Sequence, residues 1–326
     1  MHLKKKFFNW MHIIKKNFYK IIKKYRPALI STMGRSGTWY NREFIFFYNQ
    51  LLNGKKADQI IDEMIKNKTK IKYMVRVNRK ILSYDAFFIS HWLAPGFIES
   101  YKGKLKEKWE NLKFYGTEIP SRPTEYMDIY NVDYHCNPYR NKNAKIVYYF
   151  RNPLDQAVSY FRTIQTHKVK DLNFYIDEKG NKKPFKDIHD FLRTVGIDMY
   201  IKHYLSFKLM KDFFPENFLL IEYEKMISDP VENFKKVLNF FNHNVEKLNF
   251  SKEFDEAIKL SSKESIIKLE NSYGTSISKA STDDRVRQVT DGTIGKWKQN
   301  LTDEDLKYVD QRFKEFDMSL SNFILE

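Results

Sequence analysis

Short apolar runs that alternate with helical patterns are the feature that most constrains the fold of this chain. The runs are predicted as strands and lie at residues 28–32, 85–90, 114–119, 146–150 and 218–223. Helical patterns run from Thr38 to about Leu52 and follow Pro153 and Pro230. This alternation favours an α/β fold in which helices flank a mainly parallel central sheet. The polar stretches 168–187 and 261–292 have weak periodicity and are predicted as loops or lids.

The charge of the chain is strongly positive and unevenly distributed. There are 57 Lys and Arg residues against 41 Asp and Glu residues, which gives a net charge of +16. Residues 1–26 contain many lysines and Arg26 but no acidic residue. Such an excess attracts anions in general, including nucleic acid, phospholipid and phosphorylated ligands. Beyond residue 26, most lysines are interpreted as a solvated surface.

Residues 1–26 are predicted to form a basic amphipathic helix, and residues 27–326 a single domain. One stripe of the helix is apolar and contains Leu3, Phe7, Met11, Ile14, Phe18, Ile21 and Tyr25. Two interpretations fit this stripe: contact with an anionic membrane surface, or packing on the protein's own body or on a partner. The segment lacks the features of a secretory signal, and no window is apolar enough to span a membrane. We therefore expect a cytoplasmic protein, either free or peripheral at the inner face of a membrane.

A short glycine-containing turn follows the first predicted strand and opens the first predicted helix. It reads Ser31-Thr32-Met33-Gly34-Arg35-Ser36-Gly37-Thr38. In this context, backbone N–H groups and the positive end of the helix can surround an anion. The two glycines allow a sharp turn and a close approach to the ligand, and Arg35 can add a permanently charged donor. The spacing is not that of a Walker A loop.

A second motif follows the predicted strand at 146–150. It runs from Tyr149 to Tyr160 and places Arg151 at the carboxyl end of the strand, where α/β proteins bind ligands. Pro153 suits the first turn of the following helix, and Ser159 lies about two turns further on. An arginine at the strand end and a serine on the next helix are typical of a phosphate site.

The two motifs and three further segments occur in an order that resembles the sulfotransferase family using 3′-phosphoadenosine 5′-phosphosulfate (PAPS). The two motifs match the family patterns [KR]-S-G-T and R-N-P-x-D-x-A-V-S-Y. The further segments are Ser90-His91-Trp92-Leu93-Ala94-Pro95, the stretch 221–230 (IEYEKMISDP) and the stretch 292–298 (GTIGKWK). The resemblance covers most of residues 28–300 and implies a P-loop-like sulfotransferase fold.

The resemblance also implies roles for individual residues. The loop formed by Gly34, Arg35, Ser36, Gly37 and Thr38 would bind the 5′-phosphosulfate of PAPS, and Arg35 would stabilise the leaving phosphate. Arg151 and Ser159 would bind the 3′-phosphate. Tyr223 would contact the adenine, while Gly295 and Trp297 would lie in the segment that closes over the nucleotide. His91 would be the general base, because its unperturbed pKa lies near neutrality; Glu118 is the alternative base.

The sequence departs from the family pattern at several positions. Thr290 and Asp291 stand where the family often has Arg-Lys, and Arg285 or Arg287 are the candidates to replace that pair. Ile89 stands where a lysine often precedes the histidine, and Lys296 replaces the aspartate of the G-D-W segment. No metal is expected, because the chain has one cysteine, Cys136, and no H-E-x-x-H motif.

The sequence therefore predicts an enzyme that moves a sulfuryl group from PAPS to an acceptor hydroxyl or amine and releases 3′-phosphoadenosine 5′-phosphate (PAP). The acceptor class stays open among a sugar, a glycolipid, a phenol and an alcohol. A P-loop phosphotransferase is one alternative. A membrane-peripheral or RNA-binding protein that binds PAP without catalysis is the other, and nucleic acid is the less favoured partner.

Overall fold

A central β-sheet organises the part of the chain that the computed structural model describes, namely residues 26–97, 104–112, 131–167, 174–177, 179–246, 249–277 and 293–323. Within these ranges the sheet has five strands in the order β2-β3-β1-β4-β7. The strands are β1 (Pro27–Thr32), β2 (Met74–Arg76), β3 (Ala86–Ser90), β4 (Ile146–Phe150) and β7 (Phe218–Glu222). β3, β1, β4 and β7 are parallel, and β2 is antiparallel to β3. The predicted α/β fold with a mainly parallel sheet is confirmed.

Helices cover both faces of this sheet. In chain order they are α1 (Thr38–Leu52), α2 (Ala57–Asn67), α3 (Arg79–Leu82), α4 (Lys104–Glu110), α5 (Val132–His135), α6 (Pro153–His167), α7 (Ile188–Phe191), α8 (Ile197–Phe213), α9 (Tyr223–Ser228), α10 (Pro230–Phe240), α11 (Ser251–Ser261), α12 (Lys263–Tyr273), α13 (Trp297–Asn300) and α14 (Asp303–Lys314). A π-helical turn at Leu192–Gly196 joins α7 to α8, and a 3₁₀ turn spans Leu320–Asn322.

The central strands are apolar along their whole length because both of their faces are buried. Along β1, Leu29 belongs to one hydrophobic cluster, whereas Ala28 and Ile30 belong to the cluster on the opposite face. In β4, Tyr148 belongs to the cluster of Leu29 and Tyr149 to the cluster on the opposite face, and both are fully buried. Period-two alternation between two covered faces produces near-continuous apolar strands of this kind.

Most of the predicted elements match the structure. The helix predicted over 38–52 has those bounds, and helices begin at Pro153 and Pro230. Asp229 caps the second of these by accepting a hydrogen bond from the Glu232 N–H at 3.0 Å. The predicted helix over 1–26, the predicted strand at 114–119, Glu118, Arg285, Arg287 and Gly292 lie outside the described residues, Arg26 excepted.

The prediction of loops at 168–187 and 261–292 was wrong in part. Residues 174–176 (β5) and 182–184 (β6) form a small antiparallel hairpin. Residues 263–273 form α12, whose N-cap Ser262 accepts a hydrogen bond from the Ser265 N–H. Ile266, Leu269 and Tyr273 bury one side of α12, but the charged residues between them obscured this periodicity. Across the described ranges, no helix combines the length and apolar character needed to cross a membrane.

Candidate functional site

The loops that follow the parallel strands meet at the carboxyl edge of the sheet and enclose a cavity of about 490 Å³. In an open α/β sheet this edge is the usual place for a ligand. Seven of the residues predicted from the sequence line the cavity: Arg35, Gly37, Thr38, His91, Arg151, Ser159 and Tyr223. Arg35 and Ser159 are 124 residues apart in the chain, so the fold brings the two sequence motifs together.

The loop between β1 and α1 has a backbone suited to an anion. Arg35 and Gly37 have φ angles of 71° and 87°, in the left-handed region that favours glycine. A Cβ on Gly37 would also lie 2.6 Å from the Met226 side chain, so this position requires glycine. No side chain caps α1, and its first turn carries no acidic residue. The N–H groups and the positive dipole at this end of α1 therefore face the cavity, and no acidic side chain of the first turn neutralises them.

The Ser36 hydroxyl is fully buried within the same loop. Its oxygen has no hydrogen-bond partner among the described residues. A buried hydroxyl without a partner costs free energy, since the group has lost its hydration. The predicted ligand-binding loop therefore contains a polar atom that a bound anion could satisfy.

Arg35 extends from this loop towards α6. Its Nε donates to the Ser159 hydroxyl at 3.3 Å. Burial lowers the pKa of the Arg35 guanidinium, and the positive charge of Arg151 lowers it further. An arginine remains protonated at neutral pH in spite of such a shift. Arg35 thus supplies a desolvated positive charge that favours an anion beside it.

Arg151 is buried and lies between several acceptors at the end of β4. Its Nη2 donates to the Thr293 carbonyl oxygen at 3.2 Å, and its Nη1 lies 3.5 Å from the Arg35 carbonyl oxygen. Its Nε is 3.5 Å from Glu224 Oε1 but makes no hydrogen bond among the described residues. Burial raises the pKa of Glu224, which opposes its ionisation. Asp155 is a second carboxylate beside Arg151, with its Oδ2 3.9 Å from Nη2, so the feature that Arg151 offers to a ligand is its unbonded Nε–H.

Aromatic rings form the wall of the cavity beyond the two arginines. The Arg151 guanidinium lies 4.9 Å from the centre of the Tyr223 ring. Tyr40 also lines the cavity and packs edge-on against Phe234 at 5.1 Å. The flat faces of such rings suit the stacking of a planar base.

His91 follows β3 and is held against the end of β1. Its Nδ1 lies 2.9 Å from the Thr32 carbonyl oxygen and 3.2 Å from the Thr32 hydroxyl. A carbonyl oxygen can only accept, so Nδ1 must carry the proton in the neutral ring. The lone pair is then on Nε2. Burial lowers the pKa of His91 to about 4, and the charges of Arg42 and Arg35 add to this effect.

The remaining predicted residues lie near the cavity but do not line it. Gly34 is in the loop, where its carbonyl oxygen accepts a hydrogen bond from Gln156 Nε2 at 3.1 Å. Gly295 and Trp297 both bind Asp155 on α6 through their backbone N–H groups. The structure therefore places the described site residues in or beside one region, whereas the alternative base Glu118 and the candidates Arg285 and Arg287 lie outside the described residues.

Several cavity residues were not identified from the sequence as site residues. They include Trp39, Tyr40, Glu43, Ser262 and Lys263. The first three follow the predicted loop on α1, and their spacing along a helix could have indicated a shared surface. The last two begin α12, which was predicted as a loop. Within the described ranges, no cluster of three or more His, Cys, Asp or Glu residues is arranged to hold a metal ion.

These features define a class of protein that binds an anionic ligand at the carboxyl edge of a parallel sheet, between two positive groups. The chain belongs to the sulfotransferase domain family, whose model matches residues 26–321. This membership confirms the resemblance on which the sequence prediction depended.

Individual relatives agree with the family assignment. The chain is 30% identical to flavonol 3-sulfotransferase of Flaveria bidentis over 54% of this chain and 55% of that protein. It is 27% identical to sulfotransferase 2A1 of Rattus norvegicus over 54% of this chain and 57% of that protein. The chain thus matches somewhat more than half the length of these two relatives.

A solved structure shares the fold. The crystal structure of mouse sulfotransferase SULT7A1 complexed with PAP has a TM-score of 0.53 and 17% sequence identity to this chain. The match covers 91% of this chain and 89% of that one. At this identity the similarity establishes the fold, and residue roles have to be argued from the site itself.

Proposed function

We propose that this protein transfers a sulfuryl group from PAPS to the hydroxyl or amine of a small acceptor. The observation that carries the proposal is the convergence of Arg35, Arg151 and His91 on one cavity. The buried Arg151 and the half-buried Arg35 suit a donor that carries anionic groups at its 5′ and 3′ positions, and a neutral imidazole suits the removal of a proton from an acceptor. Membership of the sulfotransferase family supports the same reaction.

The residues present fit a nucleotide that carries anionic groups at both its 5′ and its 3′ position. The 34–38 loop offers uncapped N–H groups and the buried Ser36 hydroxyl, which suits the 5′-phosphosulfate. Arg151 and Ser159 suit the 3′-phosphate, because the arginine can bind an anion bidentately and its Nε makes no hydrogen bond among the described residues. Tyr223, next to Arg151, suits the adenine. The mouse relative SULT7A1 was solved with PAP, which is consistent with this arrangement.

In the proposed reaction, His91 Nε2 accepts the proton of the acceptor hydroxyl while its Nδ1–H remains bound to the Thr32 carbonyl. A bond forms between the acceptor oxygen and sulfur, and the bond between sulfur and the phosphate oxygen breaks. Arg35 and the loop N–H groups stabilise the negative charge that develops on the departing phosphate. The remaining contribution is the alignment of the reacting groups.

The acceptor is expected on the β3 side of the cavity. His91 follows β3. Arg42 donates hydrogen bonds to the Ile89 carbonyl oxygen of β3, and its guanidinium packs over the Trp39 ring at 4.3 Å. Trp39 therefore lies on the same side of the cavity as His91. An aromatic wall beside the base suits a small, partly apolar acceptor such as a phenol, an alcohol or a sugar. One relative is named for a flavonol acceptor. Contact of residues 1–26 with a membrane, and hence a glycolipid acceptor, stays a prediction.

The test of the proposed function compares ligands and then turnover. We expect PAP to bind at least 100-fold more tightly than ATP, because ATP lacks the 3′-phosphate that Arg151 would bind. We also expect transfer of label from radioactive PAPS to a component of a fractionated cell extract, separated into lipid and aqueous phases. Preference for ATP would favour a P-loop phosphotransferase, and tight PAP binding without transfer to any fraction would favour a non-catalytic PAP-binding protein.

A further inference from the structure

Asp155 is a buried carboxylate on α6, one turn after Arg151, that does not serve its own helix. Only 2% of its surface is exposed. The start of α6 is capped instead by Asn152, whose Oδ1 accepts hydrogen bonds from the Leu154 and Asp155 N–H groups at 2.9 and 3.2 Å. The carboxylate of Asp155 is therefore available for another part of the chain.

Both oxygens of Asp155 bind the segment 293–297. Oδ2 accepts a hydrogen bond from the Gly295 N–H at 2.7 Å, and Oδ1 accepts one from the Trp297 N–H at 3.2 Å. Hydrogen bonds to a carboxylate are stronger than those between neutral groups. Gly295 has a φ angle of 80°, which turns the backbone so that both N–H groups point to the same carboxylate.

The same segment also binds Arg151. The Thr293 carbonyl oxygen accepts a hydrogen bond from Arg151 Nη2 at 3.2 Å, and this nitrogen lies 3.9 Å from Asp155 Oδ2. The segment is therefore fixed at two points that are four residues apart in the chain: Arg151, just before α6, and Asp155, on α6. Any shift of Gly295 away from Asp155 would also move the acceptor that orients the Arg151 guanidinium.

We propose that Asp155 is a positioning residue, which holds segment 293–297 against α6 and thereby fixes the geometry of Arg151 for an anion. The inference rests on the proposed function only in naming that anion as the 3′-phosphate of PAPS or PAP. No separate role was predicted for Asp155 from the sequence, because its partners lie 140 and 142 residues further along the chain.

The direction in which Asp155→Asn changes PAP affinity distinguishes a positioning role of Asp155 from a purely electrostatic one. Asp155 is negative and lies near Arg151, so as a charge alone it would repel a bound phosphate. Neutralising it would then tighten PAP binding. Loss of the positioning contacts has the opposite effect, because the guanidinium and the segment must be ordered when the ligand binds. We expect Asp155→Asn to raise the Kd of PAP about tenfold, within the range of ordinary coupling between sites.

The experiment measures local order and affinity on the same full-length variants. In Asp155→Asn without ligand, hydrogen exchange at the Gly295 and Trp297 amides should accelerate relative to the wild type, because both amides lose a carboxylate acceptor. The Kd of PAP should rise about tenfold, whereas that of adenosine 5′-phosphosulfate, which lacks the 3′-phosphate, should change less than threefold.

Asp198→Asn is the matched control. Asp198 is 6% exposed and pairs with Arg312 through hydrogen bonds of 2.8 and 3.1 Å, so its loss should lower stability without affecting these amides or PAP affinity. Gly295→Ala is a second variant that leaves the carboxylate in place. The new Cβ would meet no atom within 4 Å, so only the backbone turn is strained, and we expect about a fivefold higher Kd for PAP.

Two outcomes would overturn the inference. One is unchanged or tighter PAP binding in both Asp155→Asn and Gly295→Ala; the other is unchanged amide exchange in Asp155→Asn. Failure of the proposed function looks different, because the wild-type protein itself would then show no preference for PAP. In that case accelerated exchange in Asp155→Asn would still demonstrate that the carboxylate holds the segment.

Discussion

The two edges of the central sheet each carry a cavity lined by basic residues, but only one of them has the properties of a site. The cavity at the amino edge is the larger, at about 670 Å³ against about 490 Å³. Its basic residues are solvated or already bound: Arg26 and Lys142 are exposed, and Lys145 Nζ donates to the Glu216 carbonyl oxygen at 2.6 Å. Asn217 satisfies two further carbonyl oxygens there.

At the carboxyl edge the two arginines are withdrawn from water, since Arg151 is buried and Arg35 is half-buried. Arg151 is 5% exposed, with an Nε that lacks a hydrogen bond among the described residues. Burial of Arg35 is sufficient to lower its pKa. A desolvated charge is unfavourable unless a ligand of opposite charge binds to it, so desolvation, rather than cavity size, favours the carboxyl edge as the candidate site.

The largest expected effect is at His91. His91→Ala should lower kcat by ~10² to 10⁴, the range for loss of a general base, while PAP affinity stays within about threefold. Transfer from labelled PAPS and equilibrium PAP binding provide the two measurements. His243→Ala is a control for removal of a buried histidine, since His243 lies outside the cavity and bonds to the Tyr48 hydroxyl at 3.0 Å. Undiminished kcat in His91→Ala would remove the imidazole from the mechanism.

Arg151 should show the next largest effect. Arg151→Ala should raise the Kd of PAP ~100-fold, because truncating one partner of a buried charge pair costs about 2–5 kcal/mol. Adenosine 5′-phosphosulfate lacks the 3′-phosphate, and its Kd should change less than about threefold. Calorimetry with both ligands is the measurement. Arg312→Ala, which breaks a partly buried pair with Asp198, controls for lost stability. Equal losses for the two ligands would argue against a 3′-phosphate role.

The ionisation of His91 provides a further test of the carboxyl edge, with a smaller expected effect but a more specific measurement. Its pKa of about 4 lies below the ordinary value of 6.5, because burial disfavours the charged form. Since the folded pKa is the lower one, the folded state binds fewer protons, and His91 reduces stability as the pH falls from about 6.5 to about 4. Near pH 7 the ring is neutral.

The measurement is a nitrogen NMR titration of the imidazole in the ligand-free protein, assigned with His91→Ala. We expect less than a twofold change in the neutral fraction between pH 7.5 and 5.5, whereas an ordinary histidine would lose about tenfold. In the neutral form Nδ1 should carry the proton. A midpoint above pH 6, or a proton on Nε2, would contradict the assignment of Nε2 as the base.

The sequence predicted the carboxyl edge better than its surroundings, for a physical reason. The local features were predicted, namely the strands, the loop at 34–38 and Arg151. A buried strand and the turn after it are specified by consecutive residues, so a local pattern reveals them. The role of Asp155 depends on backbone groups 140 residues away, which no local pattern specifies. α12 was missed because its buried residues Ile266, Leu269 and Tyr273 stand among charged ones.

The smallest expected effect is at the amino edge, and it tests whether position or total charge controls binding. Lys142→Glu and Lys263→Glu each reverse one positive charge, so they change the net charge equally. Lys142 lines the amino-edge cavity, whereas Lys263 lines the carboxyl-edge cavity. The two edges are separated by strands of about 17 Å, which is about twice the ~8 Å screening length at physiological salt. We expect Lys263→Glu to raise the Kd of PAP about tenfold and Lys142→Glu to change it less than twofold at 0.15 M salt. Equal effects would mean that the overall positive charge, rather than the buried arginines of the carboxyl edge, attracts the nucleotide.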